Sequence, residues 1–269
     1  MRRMENIGGL LVQTPIGSAV VTSFCAGMAT GVGALGVLFI RRLSRTLEDV
    51  LLSSAAGIML AATVFSLLLP GIDYAQAQLH SRAQGVLLVI GGLWLGALLL
   101  WSLDRFVPHE HLHLGREGPD TERLARIWLF VFAVTLHNLP EGMAVGVGMM
   151  QHNLTAGVSL AIGIGLQNLP EGLAVSVSLL TVGYSRSTAL LVGAATGLVE
   201  PVGGLIAASI VWFVQPLLAL FLGVAGGAML YVISDEIIPE THRLRSGSHA
   251  TFALLAGFAV MMFLDVVLG

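Results

Sequence analysis

The 269-residue sequence has few charges and almost no cysteine. Charged residues make up 11% of it, and its one cysteine, Cys25, excludes an intramolecular disulfide and a cysteine-rich metal cage. Lysine is absent, and the net charge of −3 gives no support for nucleic-acid binding. Hydrophobic residues instead make up 55%, with a mean hydropathy of +0.87, which indicates an integral membrane protein rather than a soluble domain.

Apolar stretches bounded by charged or turn residues predict eight transmembrane helices. The predicted spans cover about residues 15–40, 50–70, 85–107, 127–150, 155–180, 187–211, 217–238 and 249–268. The connections are short except for a polar loop at about 104–126, which contains several histidines. We therefore expect an all-α integral membrane protein in which residues 1–269 form a single polytopic domain.

The arginines predict the orientation of these spans. The loops after spans 1, 3, 5 and 7 carry ten of the thirteen arginines, and the other side carries three. The positive-inside rule places the arginine-rich loops in the cytoplasm and both termini outside. The exclusive use of arginine favours a bacterial source, so the predicted location is the plasma membrane, specifically a bacterial inner membrane.

A hexapeptide occurs twice, thirty residues apart, in spans 4 and 5. Residues 137–142 read His-Asn-Leu-Pro-Glu-Gly, and residues 167–172 read Gln-Asn-Leu-Pro-Glu-Gly. Consecutive spans run in opposite directions, so the copies predict an inverted repeat with a site at mid-membrane. A charged side chain at the centre of a membrane helix costs about 2.5–3.5 kcal/mol, so carrying such residues twice indicates a function.

Helical spacing places the polar side chains of each copy on a shared face. Residues four apart lie side by side, so His137 projects with Glu141, and Gln167 with Glu171. The proline of each copy, and a further proline after Glu200 in span 6, frees a backbone carbonyl oxygen inside the membrane. The candidate site residues are His137, Asn138, Glu141, Gln167, Asn168, Glu171 and Glu200.

This set predicts a divalent metal site. One imidazole, three carboxylates and three carboxamides, without a thiolate, suit divalent zinc, iron, manganese, cobalt or cadmium. No lysine or arginine lies near the middle of the predicted spans to balance the carboxylates, so a divalent cation supplies the opposing charge. Protons take its place when the site is empty, which links metal release to protonation.

The paired motifs, followed by Glu-Pro in span 6, resemble the ZIP family of divalent metal transporters (Zrt-, Irt-like proteins), in particular its prokaryotic and GufA-like members. The resemblance extends over essentially the whole chain. It implies transport of a divalent metal ion, with zinc as the main substrate, into the cytoplasm. The implied movement is an elevator-like slide of spans 1, 4, 5 and 6 against spans 2, 3, 7 and 8. It also implies a homodimer.

The resemblance further implies two adjoining metal positions. The implied primary site consists of His137, Glu141, Gln167 and Glu171. The implied second site uses Asn138, Asn168 and Glu200, with Glu141 and Glu171 bridging the two. Some relatives carry aspartate at the position of Asn168, so the neutral residue here predicts one tight site and one looser site.

Several residues outside this set are candidates for the metal path. The candidates at the predicted entrance are Met59, Asp73 and Asp265, and those at the exit are Asp104, Asp235, Glu236 and Glu240. The histidines of the long loop, a candidate for loose chelation, are His109, His111 and His113. Solvated helix ends and core packing are the competing interpretations of these acidic residues and of Met59.

Three other functions compete with metal transport. An intramembrane zinc protease needs a His-Glu-x-x-His helix, whereas each motif here has at most one histidine and a proline, so we expect no enzyme. A proton-coupled carrier of an organic substrate commonly uses basic or aromatic residues within its spans, and this chain has only eighteen aromatic residues. A membrane metal sensor that binds without transport stays open.

Overall fold

The computed structural model describes residues 14–40, 42–106, 120–151, 154–214, 217–241 and 247–268. Within these ranges the regular structure is helical and contains no strand. Eight helices are long and apolar enough to cross a membrane. The predicted all-α, eight-span membrane fold is therefore confirmed.

Four of the eight helices are continuous, and four change their winding partway. The continuous helices are α3 (Arg82–Phe106), α4 (Asp120–Gly148), α5 (Leu154–Thr181) and α8 (Gly247–Leu268). Two helices contain a 3₁₀ turn, namely α1 (Pro15–Ala34, then Leu35–Leu38) and α6 (Arg186–Thr196, Gly197–Val199, then Glu200–Phe213). Two contain a π turn, namely α2 (Arg45–Ala62, Thr63–Leu68, then Leu69–Leu79) and α7 (Leu218–Val232, Ile233–Ile237, then Ile238–Thr241).

Helix α2 is longer than the sequence predicts, for a local reason at each end. Ser44 caps its start by accepting a hydrogen bond from the backbone N–H of Leu47 at 3.2 Å. The helix therefore begins at Arg45, five residues before the predicted span. At the other end, Pro70 does not stop the helix. The π turn just before it accommodates the missing hydrogen bond to the carbonyl of Ser66, and the helix continues to Leu79.

A π turn just before a proline also occurs in α7. Pro239 cannot donate to the carbonyl of Asp235, and the π turn Ile233–Ile237 lies at that position. The two helices also share sequence, because residues 57–60 read Gly-Ile-Met-Leu and residues 227–230, 170 positions later, read Gly-Ala-Met-Leu. Helices α2 and α7 thus share a π turn and a short sequence match at the same spacing of 170 residues.

Helix packing follows the same duplication. Helix α1 packs along α5 and α6 packs along α4, while α2 packs along α8 and α7 packs along α3. The pairing of α1 with α5 corresponds to that of α6 with α4, and the pairing of α2 with α8 corresponds to that of α7 with α3. Helices α1, α2 and α3 thus correspond to α6, α7 and α8, and α4 corresponds to α5. The structure is thus arranged about a pseudo-two-fold axis, with α1, α4, α5 and α6 in one group of helices and α2, α3, α7 and α8 in the other.

Two glycines mark the point where α1 crosses α6. A methyl group on Gly27 would collide with the carbonyl oxygen of Gly197, and a methyl group on Gly197 would collide with that of Gly27. Small residues at such a crossing let membrane helices approach backbone to backbone. The main apolar core joins both groups of helices through side chains such as Ile58, Ile164 and Leu222.

Candidate metal site

The repeated hexapeptides lie inside unbroken helices. Helix α4 continues through Pro140 and α5 continues through Pro170, so both copies keep helical spacing. In α6 the 3₁₀ turn Gly197–Val199 comes immediately before Glu200, and Pro201 occupies the first turn of the segment that follows. Proline is tolerated in a first turn because its missing N–H has no intrahelical partner there.

The last glycine of each copy brings a third and a fourth helix to the motif. A methyl group on Gly142 of α4 would collide with the carbonyl oxygen of Glu200 in α6. A methyl group on Gly172 of α5 would collide with the carbonyl oxygen of Thr30 in α1. The two glycines therefore hold α6 and α1 against the motif helices in equivalent ways.

Two short hydrogen-bonded pairs connect the polar side chains. Gln167 Nε2 donates to Glu141 Oε1 at 2.5 Å, which joins α5 to α4. Asn168 Nδ2 donates to Glu200 Oε1 at 2.6 Å and also to the backbone carbonyl of Ala26 at 2.9 Å. Each of the two carboxamides of the second motif thus donates to one carboxylate of a neighbouring helix. All four helices of the first group contribute to the site.

The site is buried but incompletely satisfied. Its side chains with 0–1% exposure are those of Asn138, Glu141, Gln167, Asn168 and Glu200, whereas His137 and Glu171 are partly exposed. Several buried polar atoms have no hydrogen-bond partner, namely both amide atoms of Asn138 and one oxygen each of Glu141, Gln167, Asn168, Glu171 and Glu200. Buried polar groups are nearly always hydrogen-bonded. A cluster of buried oxygen and nitrogen atoms without hydrogen-bond partners is therefore typical of a ligand site.

The three carboxylates belong to one polar cluster. Gln167 and Asn168, about one helical turn before Glu171 in α5, donate to Glu141 and Glu200. Like charges held together away from water are costly unless a cation or a proton offsets them.

The carboxylates do not form a complete metal cage by themselves. In the part of the chain that the structure describes, no three histidine, cysteine, aspartate or glutamate side chains are arranged to hold one metal ion. A full ligand set at this place therefore needs the carboxamide oxygens, or a turn of the carboxylates away from Gln167 and Asn168.

The predicted entrance residues occupy three different settings. Met59 is buried in the main apolar core with Ile164 and Met261. Asp73 is exposed and lines an open cavity of about 450 Å³ near the end of α2. Asp265 of α8 is partly exposed, and its Oδ1 accepts a hydrogen bond from Ser66 Oγ at 2.8 Å. Their part in metal entry stays a prediction.

The predicted exit residues lie at helix ends, as expected from the sequence. Asp104 lies in the last turn of α3, Asp235 and Glu236 lie in the π turn of α7, and Glu240 lies in its final segment. Asp235 is exposed, and the side chains of the other three lie outside the described residues. The loop histidines His109, His111 and His113 also lie outside them.

Sequence reasoning missed a polar link between the two groups of helices. Gln151, just after α4, donates from Nε2 to the backbone carbonyl of Ser66 at 3.2 Å. That carbonyl is the one that loses its i+4 donor because Pro70 has no N–H. The proline four residues after Ser66 was a signal for this acceptor, but only the fold brings Gln151 to it.

These features define a class of protein. Eight helices long and apolar enough to cross a membrane enclose a buried set of nitrogen and oxygen atoms, most of them on the two helices that carry the duplicated motif. This is a polytopic membrane protein with a polar site at the centre of its inverted repeat.

Comparison with known proteins shows the family. Residues 108–265 match the family described as "ZIP Zinc transporter". The chain is 45% identical to "Zinc transporter ZIPB" of Bordetella bronchiseptica, over 94% of this chain and 82% of that protein. It is 42% identical to "Zinc transporter GufA" of Myxococcus xanthus, over 94% of this chain and all of that protein. It is 33% identical to human "Zinc transporter ZIP11", over 92% of this chain and 96% of that protein.

The chain belongs to the ZIP zinc transporter family. The resemblance inferred from the duplicated motif is therefore confirmed. The family is one of transporters and not of enzymes, which agrees with the absence of a protease motif in the sequence.

Proposed function

We propose that this protein carries divalent transition-metal cations through the membrane, with zinc as its main substrate. The observation that carries the proposal is the buried set of unpaired donor atoms around Glu141, Gln167, Asn168 and Glu200. The relatives that cover nearly the whole chain are named zinc transporters. Cadmium, iron, manganese and cobalt are further candidate substrates because their divalent ions accept the same ligands.

The hydrogen bonds support a division of the site into two metal positions. The bond from Gln167 to Glu141 joins two residues of the proposed primary site. The bond from Asn168 to Glu200 joins two residues of the proposed second site. His137 and Glu171 complete the primary site, and Asn138 completes the second.

Metal loading requires the two carboxamides to change partners. An amide nitrogen cannot bind a cation, so Gln167 and Asn168 have to present their oxygens, each of which has no partner now. The carboxylates released from these bonds then turn to the ion. The same two carboxamides can thus either donate hydrogen bonds to the carboxylates or bind the cargo through their oxygens.

The second position is expected to bind more weakly than the first. Its only carboxylate outside the two bridging glutamates is Glu200, and Asn168 adds no charge. A loosely bound ion leaves easily, so this position suits a step on the way out of the primary site.

The arrangement of helices supports an elevator-like movement. All the proposed ligands lie on α4, α5 and α6, which with α1 form one group, and the other group meets it mainly through α2, α7 and α8. We propose that the first group slides against the second and carries the ion towards the cytoplasm. The orientation with both termini outside, the bacterial inner membrane and a homodimeric assembly are parts of this proposal.

The test of function is metal uptake by proteoliposomes that contain the purified protein. The expected result is uptake of zinc and cadmium down their gradients, with the same uptake in His249→Ala, which removes an exposed imidazole at the start of α8. Liposomes without protein measure the leak. Tight zinc binding by the protein without any uptake would overturn the proposal and favour a metal sensor.

A further inference from the structure

Thr30 of α1 carries a buried hydroxyl group that has no partner. The residue is 0% exposed, and its Oγ1 makes no hydrogen bond. Other hydroxyls in these helices bond back to the carbonyl four residues earlier. Examples are Thr63 to Met59 at 2.8 Å and Ser23 to Ala19 at 2.7 Å. Thr30 thus belongs, with Ser53, Ser159 and Ser176, to the buried helical hydroxyls that lack a partner.

The backbone carbonyl that would accept from Thr30 already accepts a hydrogen bond from a residue of the candidate metal site. The carbonyl four residues before Thr30 is that of Ala26, and it accepts from Asn168 Nδ2 at 2.9 Å. The same nitrogen donates to Glu200 at 2.6 Å. A residue of the site therefore occupies the acceptor beside Thr30, and the hydroxyl of Thr30 stays available.

Thr30 lies where α1 meets both α5 and α6. A methyl group on Gly197, one helical turn before Glu200, would lie 2.8 Å from Thr30 Oγ1. The carbonyl oxygen of Thr30 packs against Gly172, the residue after Glu171. The hydroxyl is therefore next to the backbone segments that carry Glu171 and Glu200.

The internal repeat gives Thr30 an identifiable counterpart. Gly27 and Gly33 of α1 lie 170 positions before Gly197 and Gly203 of α6. Gly33 packs against the carbonyl oxygen of Leu169, just as Gly203 packs against that of Leu139.

Thr30 also lies 170 positions before Glu200, midway between its two glycines as Glu200 is between its own. The pseudo-two-fold axis thus places a hydroxyl on α1 where it places a ligand carboxylate on α6.

We propose that Thr30 Oγ1 is an additional oxygen ligand of the second metal position, opposite Glu200. The proposal rests on the proposed function of the site. A hydroxyl adds a ligand without adding a fourth negative charge, so it helps to hold the ion without binding it tightly. Helix α1, for which the sequence predicted no ligand, then takes part in the site.

The test compares Thr30→Val with Thr30→Ser. Valine keeps the shape and removes the oxygen, whereas serine keeps the oxygen. In zinc titration calorimetry of the purified protein, wild type is expected to show a tight and a weaker class of site. Thr30→Val is expected to weaken the weaker class about 10–100-fold, the usual effect of losing such a polar contact. Thr30→Ser is expected to bind within a few-fold of wild type.

Thr63→Val is the matched control, because it also removes a buried helical hydroxyl, but one that is satisfied within α2. It is expected to leave both zinc affinities unchanged. The proposal is overturned if Thr30→Val binds as wild type does, if Thr63→Val has the same effect, or if wild type shows a single class of site.

Thermal unfolding separates a ligand from a packing residue. Replacing an unpaired hydroxyl by a methyl group of similar shape costs nothing in the metal-free protein, so its melting temperature is expected to stay level or rise. The increase produced by saturating zinc is expected to shrink, because weaker binding stabilises less. A lower metal-free melting temperature together with an undiminished zinc effect would show a packing role and refute the proposal.

Failure of this inference is distinguishable from failure of the proposed function. Wild-type uptake combined with unchanged zinc binding by Thr30→Val would reject the role of Thr30 alone. Absence of wild-type uptake, combined with the expected binding contrast between valine and serine, would reject transport and support the ligand assignment.

Discussion

Asn168→Asp should make the metal-free protein less stable and its zinc complex tighter. The amide nitrogen of Asn168 makes two buried hydrogen bonds, to Glu200 at 2.6 Å and to Ala26 at 2.9 Å. Aspartate can donate at most one of them, and only when protonated. Each buried partner left unsatisfied costs about 1–3 kcal/mol, so the metal-free stability should fall by about that amount.

With zinc bound, the same substitution acts in the opposite direction. The new carboxylate faces the second metal position instead of donating to Glu200. One added negative charge about 4 Å from a cation gains a few kcal/mol at an intermediate dielectric before desolvation is subtracted. A remainder of about 1.4 kcal/mol suffices for a tenfold gain in affinity. We expect the weaker zinc site to tighten at least about tenfold.

The assay is thermal unfolding of purified wild type, Asn168→Asp and Asn168→Ala, with and without zinc. For a chain of this size, 1 kcal/mol corresponds to about 2–4 °C in melting temperature. Both variants should melt below wild type without metal, and only Asn168→Asp should show a zinc-induced increase larger than that of wild type. A metal-free Asn168→Asp as stable as wild type, or a smaller zinc effect, would refute the account of Asn168.

Three further predictions address packing, charge and the long loop. Gly172→Ala should lower stability by about 1–3 kcal/mol and reduce uptake, because its methyl group meets the backbone of α1. Gly91→Ala is the control: with open space around it inside α3, it should melt at or slightly above the wild-type temperature and take up zinc as wild type does. Glu141→Ala and Glu171→Ala should each abolish zinc uptake while expression and monodispersity persist; normal uptake in either would exclude that residue from the path. Deletion of residues 109–113 should leave maximal uptake largely intact, and complete loss would make the loop part of the path.

The membrane fold was predictable because its signals are local. An apolar run of about twenty residues identifies a span without any knowledge of its neighbours. Helix α2 shows the limit of this reasoning. Pro70 resembled a helix end, whereas the structure keeps the helix going through a π turn. Whether a proline ends a helix or is accommodated depends on tertiary partners such as Gln151, which bonds to the carbonyl of Ser66.

The candidate site was predictable in composition but not in its connections. The duplicated motif identified Gln167 and Asn168, yet their partners lie on three other helices, and no local pattern specifies which amide meets which carboxylate. Thr30 was within reach of the sequence, because a search at a spacing of 170 aligns it with Glu200. The repeat is weak in α1, where only scattered positions such as the two flanking glycines match, so the structure was needed to show that the aligned residues occupy equivalent places.

The most direct test of the central claim is zinc uptake into proteoliposomes by wild type and the double variant His137→Ala/Glu171→Ala, with bound zinc measured on the same preparations. If the ion passes through the duplicated motif, wild type takes up zinc, and the folded double variant takes up none and binds less of it. Uptake by the double variant at the wild-type rate would contradict the claim, because the ion would then cross the membrane by a path that avoids both motif helices.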